Sequence, residues 1–149
     1  MTNQIRQATE SDLTSIIDCA HQAYAVYVER IGREPSPMGA DFSVHIEAGQ
    51  VFIIGDDSSV FGYVVFYRVK DHIHLDNIAI QPIYQGRGLG CRLIAFVEDQ
   101  ARQRGYRTVE LYTNEKMYEN LELYPKLGYE EIDRRCEDGF DRVFYRKAL

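Results

Sequence analysis

The spacing of apolar residues changes several times along this chain, and each kind of spacing predicts either a helix or a strand. The chain opens with a predicted short strand at Ile5–Ala8. Apolar residues then recur at helical spacing over 13–31, after the capping-box sequence Thr9-Glu10-Ser11-Asp12 and directly before Gly32. We therefore expect a long first helix that ends near Gly32.

The middle of the chain is rich in β-branched and aromatic residues, which is typical of strands. Two such runs, Val51–Ile54 and Val60–Val69, are separated by Gly55-Asp56-Asp57-Ser58-Ser59, which predicts a hairpin. A further strand is expected at Ile73–Ile80. In this strand His74, Asp76, Ile78 and Ile80 fall on one face because side chains alternate.

Helices and strands also alternate elsewhere in the chain, which favours a single α/β domain over residues 1–149 with a mixed central sheet. The remaining predicted elements are a short helix at 41–48, a helix after residue 88 that ends at Gly105, a strand at 108–113, a helix at 115–127 closed by Gly128, and strands at 129–135 and 142–147 joined by Asp138-Gly139.

Composition narrows the class of protein. The net charge of -6 argues against general nucleic-acid binding, which needs a basic face. The three cysteines are widely spaced and form no Cys-x-x-Cys pair, so neither a disulfide framework nor a zinc finger is expected. The residues after Met1 lack the basic and then apolar pattern of a secretory leader, and no run of 18 apolar residues occurs, so we expect a cytoplasmic protein without a membrane partner.

The run Gln85-Gly86-Arg87-Gly88-Leu89-Gly90 lies between a predicted strand and a predicted helix. Its three glycines allow positive φ and remove side chains that would keep a ligand from the main-chain N–H groups. The following helix N-terminus adds unpaired donors and a partial positive charge, and Arg87 adds a full one. This arrangement is typical of a site for a diphosphate.

Two common phosphate-binding motifs do not fit this run. A Walker loop requires a lysine after its last glycine, where this chain has Cys91. A dinucleotide fingerprint requires Gly-x-Gly-x-x-Gly after the first strand. The glycines here occupy every second position, 86, 88 and 90, and lie in the middle of the chain.

The spacing of Gln85, Gly88 and Gly90 resembles the Gln/Arg-x-x-Gly-x-Gly/Ala signature of the GNAT superfamily of N-acetyltransferases. The resemblance extends to 75–82, which is similar to the fourth strand of that family and its exit turn, and to 120–129, which is similar to its penultimate helix. It implies a GNAT-like α/β domain with a mixed, mostly antiparallel sheet of about six to seven strands and about four helices. It also implies transfer of an acetyl group from acetyl-CoA directly to a primary amine of a small molecule or peptide.

The same resemblance implies roles for individual residues. The acceptor loop of the family corresponds to Tyr27, Arg30, Arg33 and Met38, although these residues also suit a solvated helix end. Coenzyme A binding is implied for Ile78, Ala79, Ile80, Gln85, Gly86, Arg87, Gly88, Leu89, Gly90, Cys91, Asn114 and Asn120. Ile78 and Ile80 are expected to use their backbone, with their side chains in the core, and the two asparagines are equally suited to capping and surface positions.

Three residues are candidates for proton transfer. The resemblance places Tyr124 at the position of the family's general acid, and a phenol with a pKa near 10 can protonate a departing thiolate at neutral pH. An alkylamine has a pKa of about 10.4, so removal of its proton needs a base. Asp76 is the main candidate for this step, and His74 is expected to share it or to orient a water.

The sequence is compatible with several alternatives. A metal site at His72-x-His74 is disfavoured, because the nearby Asp71 and Asp76 lack a recognised ligand spacing. The chain could instead be a non-catalytic acyl-CoA sensor or interaction module, or an enzyme that transfers another short acyl group. The acceptor is not defined, and a homodimer is the default expectation.

Overall fold

The computed structural model describes residues 4–149. The elements in chain order are β1 (Gln4–Gln7), α1 (Leu13–Ile31), α2 (Phe42–Glu47), β2 (Val51–Gly55), β3 (Val60–Val69), β4 (His72–Ile80), α3 (Leu89–Gln103), β5 (Thr108–Asn114), α4 (Tyr118–Lys126), β6 (Glu130–Glu137) and β7 (Phe140–Ala148). The strands form a sheet in the order β1-β2-β3-β4-β5-β7-β6. β4 and β5 pair in parallel, whereas β1–β2, β2–β3, β5–β7 and β6–β7 are antiparallel.

The predicted fold class is confirmed, since the described residues contain seven strands in a mixed, mostly antiparallel sheet together with four α-helices. Contacts between residues divide the chain into two compact units. The first contains the residues up to Phe66 together with Asn77–Val97, and the second contains Tyr67–Asp76 and Glu98–Leu149. The single domain expected over 1–149 therefore stays a prediction.

The first unit is built around the β2–β3 hairpin and the apolar faces of α1 and α3. An aromatic cluster joins the sheet to α3, because the Phe52 ring lies 5.4 Å from that of Phe66 and 5.0 Å from that of Phe96. The predicted capping box forms before α1, where the Asp12 carboxylate accepts the Thr9 N–H at 2.8 Å. α1 ends as predicted at Gly32, which has φ 92°.

The second unit is built on β5, β7 and β6. Seven residue pairs join β5 to β7, from Thr108↔Ala148 to Asn114↔Arg142. The β6–β7 turn at Asp138-Gly139 has positive φ at both residues, 53° and 81°, which suits the right-handed twist of a hairpin. β6 lies at the end of the strand order, and seven of its eight residues are exposed.

One helix begins later than the sequence predicts. Residues 115–117 were expected in a helix, but α4 begins at Tyr118. The Asn114 side chain accepts the backbone N–H of Lys116 at 2.9 Å, and the Asn114 carbonyl accepts that of Met117 at 2.9 Å. These local bonds form a turn that competes with the first helical turn.

Candidate active site

The glycine turn between β4 and α3 adopts the conformation that its sequence predicts. Gly86 and Gly88 have φ values of 80° and 76°, which L side chains rarely adopt. A Cβ at either position would meet no atom within 4 Å, so conformation rather than packing requires glycine here. The same open space leaves room for a ligand beside the backbone.

Six consecutive backbone N–H groups are available at this turn. The N–H of Gln85 bonds to the Pro82 carbonyl at 3.2 Å, and the N–H of Arg92 bonds to the Gly88 carbonyl at 3.1 Å. Between them, the N–H groups of residues 86–91 donate to no acceptor within residues 4–149. Helix N-termini with such donors bind anions, so this segment fits the phosphates of a coenzyme.

Two side chains shape the rim of the turn. The Gln85 amide donates to the Ile80 carbonyl at 3.0 Å and so ties the turn to the end of β4. The Arg87 guanidinium lies 5.5 Å from the centre of the Tyr84 ring, which packs on Phe61 at 4.1 Å. A full positive charge is therefore held beside the six donors.

Side chains also hold the carbonyls at the end of β4. The Tyr24 hydroxyl donates to the Ile78 carbonyl at 2.7 Å, and the Cys19 thiol contacts the Ala79 carbonyl at 3.8 Å. Burial raises the pKa of Cys19 to about 12, so this thiol stays protonated. The prediction that the side chains of Ile78 and Ile80 lie in the core is wrong. Both are half-buried, since the alternation of β4 turns Asn77 and Ala79 inward instead.

The two candidate bases lie together on β4 in the second unit. His74 Nε2 is 3.4 Å from Asp76 Oδ1, and both side chains are half-buried. The His74 ring lies between those of Tyr67 and Tyr112, with centroids 5.7 Å from each. In the described part of the chain, no lysine or arginine forms an ion pair with Asp76.

Tyr67 is a hydrogen-bonding partner of Asp76 that the sequence did not reveal. Burial, followed by the charge of Asp76 and a hydrogen bond to it, raises the pKa of Tyr67 to about 12. The Tyr67 phenol therefore stays protonated at neutral pH and donates to the carboxylate. Among eleven tyrosines nothing in the sequence singles out this one, because the contact joins β3 to β4.

Tyr124, the candidate general acid, lies in α4 and is 5% exposed. Its ring packs against those of Tyr129 and Tyr145 at 5.8 and 5.7 Å. The Tyr129 hydroxyl donates to Glu98 at 2.9 Å, and Glu98 also pairs with Lys147 at 3.0 Å. Burial, with a smaller contribution from Glu98, strongly raises the pKa of Tyr129. Tyr124 is thus held between two rings, of which that of Tyr129 is itself bonded to Glu98 of an ion pair.

The two candidate asparagines already have partners within the protein. The Asn114 side chain accepts from the Lys116 backbone, as described above, and the Asn120 amide donates to Thr113 Oγ1 at 3.0 Å. Both bonds belong to the turn that precedes α4 and to its first residues. Contact between these amides and a pantetheine arm stays a prediction.

The four candidate acceptor residues lie on α1 and on the segment after it. The Arg30 guanidinium lies 5.2 Å from the centre of the Tyr27 ring, and Arg33 is exposed just beyond Gly32. Met38 lies in the turn Ser36–Gly39 and is 9% exposed. Their contact with an acceptor stays a prediction.

Two further observations concern metals and membranes. Within residues 4–149, no three His, Cys, Asp or Glu side chains are grouped so that they could hold a metal ion. Over the same residues, no helix has the length and apolar content needed to cross a bilayer.

Comparison with known proteins assigns the chain to a family. The model of the acetyltransferase (GNAT) family matches residues 12–129, which is most of the chain. The chain therefore belongs to the acetyltransferase (GNAT) family, as its glycine turn suggested.

A curated relative is the [ribosomal protein bS18]-alanine N-acetyltransferase of Haemophilus influenzae, which is 34% identical over 80 residues. The aligned region covers 54% of this chain, and the chain spans about half (54%) of the length of that relative. Among solved structures, the PaiA N-acetyltransferase of Thermoplasma acidophilum in complex with coenzyme A has a TM-score of 0.85 at 18% identity over all of both chains. The ribosomal-protein-S18-alanine N-acetyltransferase of Escherichia coli has a TM-score of 0.74 at 21% identity, over 99% of this chain and 94% of that chain. At these identities the two structures show a shared fold.

Proposed function

We propose that this protein transfers an acetyl group from acetyl-CoA to a primary amine. The main observation in support is the row of six N–H groups at residues 86–91 that donate to no acceptor within residues 4–149, next to the charge of Arg87. A diphosphate carries anionic oxygens that need such donors, and the open space at Gly86 and Gly88 lets them approach. Membership of the family and the coenzyme A complex of the Thermoplasma relative support the same acyl donor.

Different segments of the chain bind different parts of acetyl-CoA. The turn at 85–91 holds the diphosphate, while the backbone of Ile78, Ala79 and Ile80 contacts the acyl arm. Acetyl-CoA supplies a reactive thioester. The side chains that hold the carbonyls at the end of β4 keep this backbone in one conformation, which is what preorganised hydrogen-bonding groups require.

Proton transfer is proposed for the three candidates in the second unit. An ammonium acceptor must lose a proton before its nitrogen can attack the acyl carbon. Asp76 or His74 receives this proton, and Tyr67 holds the Asp76 carboxylate. The nitrogen loses a second proton once it has bonded to the acyl carbon. When the carbon–sulfur bond breaks, Tyr124 donates its phenolic proton to the sulfur and is reprotonated by the second proton from the nitrogen. The products are an acetylated amine, a free thiol and one released proton.

The acceptor is proposed to be the amine of a small molecule or a peptide. The name of the Haemophilus relative specifies an alanine of a ribosomal protein, so peptides that begin with alanine belong among the acceptors to be tested. Residues Tyr27, Arg30, Arg33 and Met38 are proposed to contact the acceptor. A cytoplasmic location and a homodimer stay predictions.

Calorimetric titration of acetyl-CoA, followed by a thiol-release assay, tests this function. The amine panel contains a peptide with a free N-terminal alanine, the same peptide with its N-terminus acetylated, lysine and a polyamine. We expect saturable binding, and thiol release with at least one free amine but none with the blocked peptide. No binding at millimolar acetyl-CoA would refute the proposal, and binding without release over the whole panel would indicate a non-catalytic acyl-CoA-binding module.

A further inference from the structure

Asn77 is a buried polar residue that the proposed mechanism does not use. It occupies an inward position of β4, is 3% exposed, and lies among apolar core residues. A buried amide costs free energy unless its hydrogen bonds are made, and an apolar side chain would fill the same space without that cost. Its partners therefore indicate what it contributes.

Three elements converge on the Asn77 side chain within the first unit. Asn77 Oδ1 accepts from the Tyr63 hydroxyl of β3 at 2.8 Å and contacts the Tyr24 hydroxyl of α1 at 3.2 Å. Asn77 Nδ2 donates to the carbonyl of Pro37 at 3.4 Å. Pro37 belongs to Ser36–Gly39, a single short 3-10 turn. The Asn77 side chain thus links this turn to β4 through a hydrogen bond.

The network also reaches the backbone of the neighbouring residue. The Tyr24 hydroxyl, which contacts Asn77, donates to the Ile78 carbonyl at 2.7 Å. The turn Ser36–Gly39 and the backbone at Ile78 are therefore held by one group of hydrogen bonds. Fully satisfied buried networks of this kind fix a geometry more than they add stability.

The backbone of the turn Ser36–Gly39 is held by short-range hydrogen bonds. Its backbone bonds are Met38 N–H to the Pro35 carbonyl at 3.0 Å and Ala40 N–H to the Pro37 carbonyl at 3.4 Å. The Asn77 amide binds the same Pro37 carbonyl that accepts from Ala40. Loss of the Asn77 donor would therefore act first on this short segment.

We propose that Asn77 is a positioning residue, which holds the turn Ser36–Gly39 in a fixed place relative to the backbone of β4 at Ile78. This inference rests on the proposed function, because the turn contains the candidate acceptor residue Met38 and Ile78 is a candidate contact of the acyl arm. Asn77 acts through these segments and does not itself touch either substrate. Its role is to place the acceptor at a set distance from the acetyl group.

The test compares Asn77→Asp with Tyr63→Phe. Asn77→Asp keeps the Oδ1 acceptor but replaces the Nδ2 donor to Pro37 with a second oxygen, whereas Tyr63→Phe removes a buried hydrogen bond to Asn77 Oδ1 and leaves that donor. Amide hydrogen exchange is measured at Met38 and Ala40, with Leu93 and Val97 of α3 as references. Asn77→Ser, whose side chain is too short to reach Pro37, replaces Asn77→Asp if that variant unfolds.

We expect exchange at Met38 and Ala40 to accelerate about tenfold in Asn77→Asp relative to the α3 references, and much less in Tyr63→Phe. In the thiol-release assay, KM for the acceptor should rise about tenfold while Kd for acetyl-CoA changes less than about twofold. Equal acceleration in turn and helix, or equal effects of both variants, would overturn the inference.

Exchange requires no substrate, so the two proposals can fail separately. Unchanged exchange at Met38 in a protein with normal turnover would refute the role of Asn77 alone. Absence of turnover in the wild-type protein would refute the proposed function and, with it, the acceptor-placing role.

Discussion

At the scale of single residues, the proposed acetyl transfer depends on the hydrogen-bonding partners of the base Asp76 and on the packing of the acid Tyr124. Asp76 has the Tyr67 phenol and the His74 imidazole as its partners, so its charge is oriented without being neutralised by a lysine or arginine in the described chain. Tyr124 has a buried ring in an aromatic cluster, which fixes the direction of its hydroxyl. Tyr67 and Tyr124 can each be changed to phenylalanine, which removes the hydroxyl oxygen and keeps the ring.

Tyr67→Phe removes the phenolic donor to Asp76. We expect kcat/KM to fall about tenfold, since a hydrogen bond to a charged group contributes about 1.5–3 kcal/mol and only part of it is felt in the transition state. Tyr112→Phe is the matched control, because its ring lies equally far from His74. Steady-state kinetics measures both variants. Equal losses in the two would assign the effect to ring packing and contradict a role for the Tyr67 hydroxyl.

Tyr124→Phe removes the proposed general acid. We expect kcat to fall by roughly 10²–10⁴, the usual contribution of general acid catalysis, with Kd for acetyl-CoA nearly unchanged. Tyr145→Phe is the control, since its buried ring packs against the same tyrosine. Single-turnover thiol release and calorimetry give the two quantities. Full turnover by Tyr124→Phe would remove the acid assignment and leave the binding site intact.

At the scale of elements, the glycine turn was predictable from sequence because its conformation depends on local chemistry. Two glycines with positive φ and a helix start directly after them are encoded within six residues. The start of α4 was not predictable, since the Asn114 side chain forms a competing turn. Asn77 was missed because its bonds join residues 14 to 53 positions apart, and Tyr67 because its contact with Asp76 depends on how β3 and β4 lie together. A polar residue at an inward position of β4 was the one available signal for Asn77.

Gly88→Ala tests the glycine turn. Gly105→Ala is its control, because both glycines have a positive φ. Gly105 lies just after α3 with φ 85°, and a Cβ at Gly105 or at Gly88 meets no atom within 4 Å. Both alanine variants should lose about 1–2 kcal/mol of unfolding free energy, because each forces a left-handed residue. Only Gly88→Ala should also weaken acetyl-CoA binding, by about tenfold. Urea unfolding and calorimetry measure the two effects, and equal affinities for both variants would contradict the phosphate-binding role of the turn.

At the scale of the whole molecule, the net charge of -6 makes the arrangement of carboxylates important for stability. Asp12 is 6% exposed and binds both guanidinium nitrogens of Arg6 at 2.8 Å, just before α1. The hydrogen bonds from Arg6 are the main cause that lowers the pKa of Asp12 from 3.8 to about 2. A lowered carboxyl pKa stabilises the folded state above about pH 4, and this contribution is lost as pH falls towards 2.

Asp12→Asn should therefore lower the unfolding free energy by about 1–2 kcal/mol at pH 7, a value reduced from the full shift because Arg6 is half exposed. The difference from the wild-type protein should shrink between pH 4 and pH 2. Asp18→Asn, at an exposed position of α1, should have little effect at any pH. Urea unfolding at pH 7, 4 and 3 gives these values. A difference that stays constant over this range would contradict the assigned cause.

Titration of the isotope-labelled protein with acetyl-CoA, followed through its amide resonances, tests diphosphate binding at the glycine turn most directly. We predict large shift changes and slower exchange at the N–H groups of residues 86–91, because these donors become bonded to the diphosphate. Smaller changes are expected at Ile78 and Ile80. Saturation of the protein with acetyl-CoA while the resonances and exchange rates of the six amides at 86–91 stay unchanged would contradict diphosphate binding by this turn.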